Sequence, residues 1–280
     1  MLPFSLIALV VFWLPVRLVV GLLSTWTLPY WMFVAAFLAI GLLLFVRPFQ
    51  VLVLTPIIGA RRPTHEEAAL IEPIWADIAL ANGLPPSRYV VRVVDSEEVN
   101  AFACGGHLVV VTTFAVSELT TEQLRGVLAH ELSHHLGLHT VAITFGHWLS
   151  APVVLLARIG FYLENVSQAA AGSFGRRSAV IAALGRVGAA FFSALAWVFT
   201  AAIRGSDAVT NVVGHSSEFE ADQLAVRMGF GAELAGALRY VLAHGYGARP
   251  IGWRARLGAS HPPARTRVAR IEALMRHPAR

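Results

Sequence analysis

The chain has 280 residues, of which 56% are hydrophobic and only 14% charged, and its mean hydropathy is +0.62. A soluble domain carries about 25% charged residues, so the composition points to membrane spans and away from an ordinary water-soluble enzyme. The net charge is +5, but the 22 basic residues, all arginine, are scattered and form no basic stripe with interleaved aromatics, which argues against nucleic acid as a partner.

From Phe4 to Leu23 the one charge is Arg17, and from Leu28 to Val46 there is none. Each run approaches the ~20 apolar residues needed to cross a bilayer, and the short link Ser24 to Thr27 makes them a helical hairpin. The first run lacks a basic start and a second follows at once, so it reads as a span, not a cleaved signal peptide. Val51 to Ile58 is still apolar and is expected to extend along the interface. Arg61-Arg62-Pro63 then opens a polar region.

Thr64 and Glu67 form a capping-box pattern, opening a helix with Ala68, Ile71, Trp75, Ile78 and Ala79 on one face that ends at Asn82-Gly83. Tyr89 to Val94 is a β-type run. Val99 to Cys104 and His107 to Thr113 read as two strands around a Gly105-Gly106 turn. Cys104 is the one cysteine, so no internal disulfide can form, as suits a reducing compartment.

Thr120 and Gln123 form a second capping box, and the helix that follows carries His130-Glu131-Leu132-Ser133-His134. Two imidazoles four residues apart share a helix face and can hold one zinc ion, while Glu131 can take a proton from a water on that metal. His135 lies about 100° around the helix from His134 and reads as a bystander. A catalytic zinc takes a third protein ligand. His139 is one candidate, although a metzincin pattern would put histidine at Thr140. Glu218 is the other, with Asp222 one turn later on the same face to orient a histidine, and Glu220 pointing away.

Uncharged runs at Thr140 to Ala157 and Val187 to Ile203 read as a third and fourth span. Two crossings between His134 and Glu218 return the chain to the same side of the membrane, as a shared metal requires. The chain then closes through a loop rich in Gly, Pro and Arg, His261-Pro262-Pro263, and a short helix from Thr266 to Met275.

These motifs, in this order, resemble the HtpX-type integral membrane zinc peptidases, whose wider family includes the CAAX prenyl proteases. The resemblance covers most of the chain. It implies a mainly α membrane protein of about four transmembrane helices with a zincin-like α+β catalytic domain and a small β-sheet. The expected parts are an N-terminal transmembrane hairpin (1–58), a first catalytic part (59–139), a second transmembrane hairpin (140–203) and a second catalytic part (204–280). The resemblance implies one zinc ion on His130, His134 and Glu218, Glu131 as the catalytic base, and Asp222 behind the ligands. It also implies that Asn100, Ala101, Phe102 and Ala103 lie on an edge strand that binds extended peptide, and that His261 and Arg267 lie near the site. His215-Ser216-Ser217 departs from the arginines relatives often carry before the E-x-x-x-D, as does His139 from a more usual polar or acidic residue.

The expected activity is zinc-dependent endopeptidase cleavage of membrane or misfolded proteins near the membrane surface. The partners are then protein substrates and the lipid bilayer. Arg47, Arg61, Arg62 and Arg204 favour a cytoplasmic catalytic side, in the inner membrane of a bacterium. Two other readings are a signalling peptidase cutting one regulatory partner, for which no sensor domain is evident, and a non-catalytic metal-binding scaffold or carrier.

Overall fold

The computed structural model describes the backbone of residues 2–137, 139–174, 179–244 and 263–277, and side chains within these except at 139, 174, 179, 181–182 and 205–216. In chain order the helices and strands are α1 (Leu2–Leu23), α2 (Tyr30–Leu43), α3 (Arg47–Ile57), β1 (Ala60–Arg61), α4 (His65–Ala81), β2 (Val90–Val94), β3 (Ala101–Cys104) and β4 (Leu108–Thr112). Then come α5 (Thr113–Glu118), α6 (Thr121–Leu136), α7 (His139–Phe174), α8 (Ala179–Arg227), α9 (Gly231–Ala243) and α10 (Ala264–Arg276). The mainly helical membrane architecture with a small sheet is as the sequence predicts.

Among the described residues, three helical segments are long and apolar enough to cross a membrane: Leu2–Leu23, Thr140–Ser173 and Ala183–Arg204. The expected second span differs. α2 has 14 residues, about 21 Å at 1.5 Å each, short of a ~30 Å hydrocarbon core. It breaks and is followed by α3, bent 83° from it, so the pair makes a fourth crossing only if taken together. The middle of α3, Gln50–Leu54, is wound as a π-helix. Both later helices also outrun their apolar stretches, because the alanine-rich polar sequence beyond them keeps helix propensity.

The chain divides into two units, Met1–Gly41 with Phe145–Thr210, and Leu42–Thr144 with Asn211–Arg280. In the first, Ala8, Val153, Leu156, Ala157 and Phe199 form a buried cluster. Small residues let its helices approach closely: a Cβ on Gly160 would lie 2.9 Å from that of Ala196. Trp148 stacks on Phe37 with ring centroids 4.8 Å apart, and its Nε1 donates to the Phe37 carbonyl at 3.0 Å. A Cβ at Gly41 would strike that indole at 2.5 Å.

The second unit is built on a sheet of order β1-β2-β4-β3, with β2 and β4 parallel and both other pairs antiparallel. The predicted β3–β4 hairpin forms, with Gly105 at φ 61° in its turn, a conformation that favours glycine. Ile71, Ile74, Trp75 and Ile78 of α4 pack with Val93, Val109 and Val111 of the sheet and Leu124, Leu128 and Leu132 of α6. Both capping boxes form: Thr64 with Glu67 starts α4, and Thr120 with Gln123 starts α6. The two-residue strand β1 is too short for any periodicity to announce. Arg61 ties it down, pairing with Glu67 at 2.7 Å and Asp95 at 2.9 Å.

Candidate metal centre

α6 enters the core with Leu124, Leu128, Ala129 and Leu132 fully buried, which carries the H-E-x-x-H turn out of solvent: His130, Glu131 and His134 are all buried. A polar turn there is stable only if its imidazoles find partners. Those partners come from α8, where Glu218 and Asp222, one turn apart, are buried and Glu220 is exposed, the phase expected from the spacing.

Donor atoms of three residues converge. His130 Nε2 lies 3.2 Å from His134 Nε2, and Glu218 turns one oxygen to each histidine, Oε1 at 3.0 Å from His134 Nε2 and Oε2 at 3.4 Å from His130 Nε2. A tetrahedral ion with ligand arms near 2.05 Å has ligand–ligand edges of about 3.3 Å, so these separations are of the size such a site requires. Among the described residues this is the one group of three or more His, Cys, Asp or Glu side chains so arranged. Asp222 Oδ1 sits 3.1 Å from His130 Nδ1. When His130 is neutral, that contact holds its proton on Nδ1 and leaves the Nε2 lone pair facing the triangle.

Arg267, placed by α10, is buried and forks onto Asp222, Nε to Oδ2 at 2.9 Å and Nη2 to Oδ1 at 2.7 Å. Its Nη2 is nearly equidistant from both His130 nitrogens, 3.3 and 3.2 Å, so it lies over the ring and not at the edge of one nitrogen. Burial and Arg267 push the His130 imidazolium down, but hydrogen bonds to Asp222 and Glu218 outweigh them and raise its pKa to about 9. Burial pushes Asp222 up, but the bonds from His130 and Arg267 prevail and hold it at about 2. In the metal-free protein a proton therefore occupies part of the place a cation would take.

His135 is more than a bystander. Its Nε2 lies 3.1 Å from the Leu108 carbonyl of β4, its Nδ1 faces the Thr140 hydroxyl at 3.3 Å, and its ring packs on Tyr89 at 4.7 Å. Burial, only partly offset by the Leu108 carbonyl, lowers its pKa to about 4, so it is a neutral anchor between α6 and the sheet. The H-H doublet before a strongly helical-to-span junction was the available signal, but nothing local says which carbonyl it meets.

The remaining expected residues separate. Ala101, Phe102 and Ala103 lie in β3, an edge strand that packs against α6. Asn100 precedes it, its carbonyl accepting from the Thr112 N–H at 3.0 Å. His261 lies outside the described residues, as do the side chains of His139 and His215.

Residues 65–275 match the model of peptidase family M48. Protease HtpX homologues are among the relatives. That of Thermodesulfovibrio yellowstonii is 26% identical over 86% of this chain and 88% of its own, and that of Thermoanaerobacter pseudethanolicus 27% identical over 78% and 76%. The Aquifex aeolicus homologue is 33% identical over 105 residues, 36% of this chain and 34% of its own. Among solved structures, the crystal structure of S. mikatae Ste24p shares the fold at a TM-score of 0.53 and 16% identity, covering 87% of this chain and 58% of that one.

Proposed function

Given that this chain belongs to peptidase family M48 and is HtpX-like, we propose that it is a membrane-bound zinc endopeptidase with its active site on α6 and α8. The observation that carries this reading is the buried triangle of His130, His134 and Glu218, with Asp222 behind one histidine. Two imidazoles and one carboxylate are a donor set suited to catalytic zinc, which keeps a position open. Zinc bound there supplies Lewis acidity, lowering the pKa of a water toward ~7 and polarising the scissile carbonyl.

The chain's own residues do the rest. Glu131 accepts a proton from the attacking water as its oxygen bonds to the carbonyl carbon. Glu131 then delivers that proton to the amine nitrogen as the C–N bond breaks. Asp222 keeps His130 in the Nδ1–H tautomer, and Arg267 keeps Asp222 ionised and in place. The edge strand β3 offers unpaired backbone groups to an extended peptide, which reads an unfolded chain without demanding a side-chain sequence.

Membrane proteins or their unfolded flanks are the proposed substrates. His134 precedes the start of the Thr140–Ser173 apolar helix by only six residues, which keeps the site near the membrane surface. Glu131→Gln is expected to abolish cleavage of a model membrane substrate while retaining the metal. A Glu131→Gln protein that still cuts it would sink the assignment.

A further inference from the structure

The second unit carries a basic strip without carboxylate partners among the described residues, running from the end of β1 past β2 to the turn before β4. β1 and β2 pair antiparallel with Arg61 opposite Val93. Because side chains alternate along strands, Arg61 points to the core side with Val93, where Glu67 and Asp95 neutralise it. β1 ends at Arg61; carried one step on, its register would set Arg62 beside Arg92, whose side chain alternates away from that of Val93. Like charges set side by side there repel. Burial, and then the charge of Arg62, push the Arg92 guanidinium below its ordinary range.

The strip continues past the sheet. Val90 donates to the His107 carbonyl at 2.7 Å. Arg88 lies two residues before Val90, and Arg47 three residues before Gln50, whose side chain packs on Gly105 in the turn that His107 closes. Burial, then the charges of Arg47 and Arg88, depress the His107 imidazolium. His107 Nδ1 is buried without a hydrogen-bond partner among the described residues. None of Arg47, Arg62, Arg88 and Arg92 forms an ion pair with a described carboxylate. Helix α3, which begins at Arg47, turns Gln50 and Thr55 inward and leaves Leu52 and Ile57 exposed, Leu52 at 74%, with Val46 exposed just before it.

We propose that the strip formed by Arg47, Arg62, Arg88, Arg92 and His107, with the exposed apolar row of α3 beside it, binds the phosphate headgroups of anionic phospholipid. The charge complement is a phosphate, and the adjoining apolar row is what makes the source a lipid rather than a free anion. A helix with an apolar face and neighbouring arginines is the arrangement that lies in a headgroup layer. The strip lies apart from the metal triangle, so the proposal stands whether or not the chain is a peptidase.

The test uses the full chain in neutral-detergent micelles, titrated with dioctanoyl phosphatidylglycerol, dioctanoyl phosphatidylcholine and inorganic phosphate, with binding followed by native mass spectrometry. Phosphatidylglycerol is expected to bind at least tenfold more tightly than phosphatidylcholine, and each arginine changed to glutamine to weaken it roughly fivefold. Arg62→Gln with Arg92→Gln then costs about 25-fold, while Arg62→Lys with Arg92→Lys and the distant Arg239→Gln leave binding within twofold. The glutamine pair is expected to melt no lower than the parent in lipid-free micelles, since it relieves a like-charge contact. Equal binding of the two lipids, an unchanged affinity in the glutamine pair, or displacement of phosphatidylglycerol by equimolar inorganic phosphate would each overturn the proposal.

Discussion

At the scale of single residues, the site is a competition between protons and a cation for the same lone pairs. His130 is raised to about 9 in the metal-free protein because Asp222 and Glu218 outweigh burial and Arg267. An unfolded histidine titrates near 6.5, so this residue's contribution to metal-free stability is full below about pH 6.5 and is lost as the pH rises through about 9. Metal binding at Nε2 runs the other way, because the ion must displace a proton. Apparent zinc affinity is therefore expected to rise by up to about tenfold per pH unit between pH 6.5 and 8.5, with proton release seen by calorimetry in buffers of different ionisation enthalpy. A pH-independent affinity over that range would show that Asp222 and Glu218 do not hold the proton on His130.

The residue scale also separates what was legible from what was not. The shared face of His130 and His134 and the phase of Glu218 and Asp222 both follow from the helix period, so their placement could be read in advance. Arg267 was expected near the site from the resemblance alone; its pairing with Asp222, 45 residues away, was not, because no pattern in its own helix signals a buried guanidinium. His135 likewise depends on a carbonyl of β4, 27 residues earlier.

At the scale of elements, α6 is held from three directions: by its capping box, by the sheet through His135, and by α9. The last contact is the tightest. A Cβ on Gly126 would lie 2.2 Å from the Leu234 backbone nitrogen and 2.5 Å from the Glu233 carbonyl carbon. Backbone atoms cannot rotate aside, so α9 would have to move. Alanine is favoured over glycine in a helix by about 1 kcal/mol, whereas overpacking of this kind costs roughly 1–3 kcal/mol or more. Sterics are expected to win: Gly126→Ala lowers the thermal midpoint, and a higher midpoint would mean the α6–α9 contact is looser than described. The capping boxes and the glycine turn at 105 were readable from four-residue patterns. β1 was not, being two residues long and set by the Arg61 ion pairs. The break after α2 was readable in part, since the uncharged run ends before Arg47-Pro48 and Val51 to Ile58 reads as an interfacial segment, but its 83° angle was not.

At the scale of the whole molecule, the hydropathy runs announced the membrane helices, while their lengths were set by helix propensity beyond the apolar stretch. Two candidate spans lie between His134 and Glu218, and an even number of crossings returns Glu218 to the side of His134. From the arginines at 47, 61, 62 and 204 we propose a cytoplasmic catalytic side. A topology reporter fused after Arg280 is expected to report the cytoplasm, and activity of a periplasm-dependent reporter there would reverse the orientation.

The central claim is that one zinc ion on His130, His134 and Glu218 cuts peptide bonds with Glu131 as the base. It is tested most directly by measuring zinc content and casein cleavage together on the purified full chain in detergent, before chelation, after it, and after zinc is restored. One zinc per chain is expected, with loss of both zinc and cleavage on chelation, recovery of both on zinc addition, and loss of the zinc in Glu218→Ala. Cleavage that persists in the stripped protein, or a Glu218→Ala protein that keeps full zinc content and activity, would contradict it.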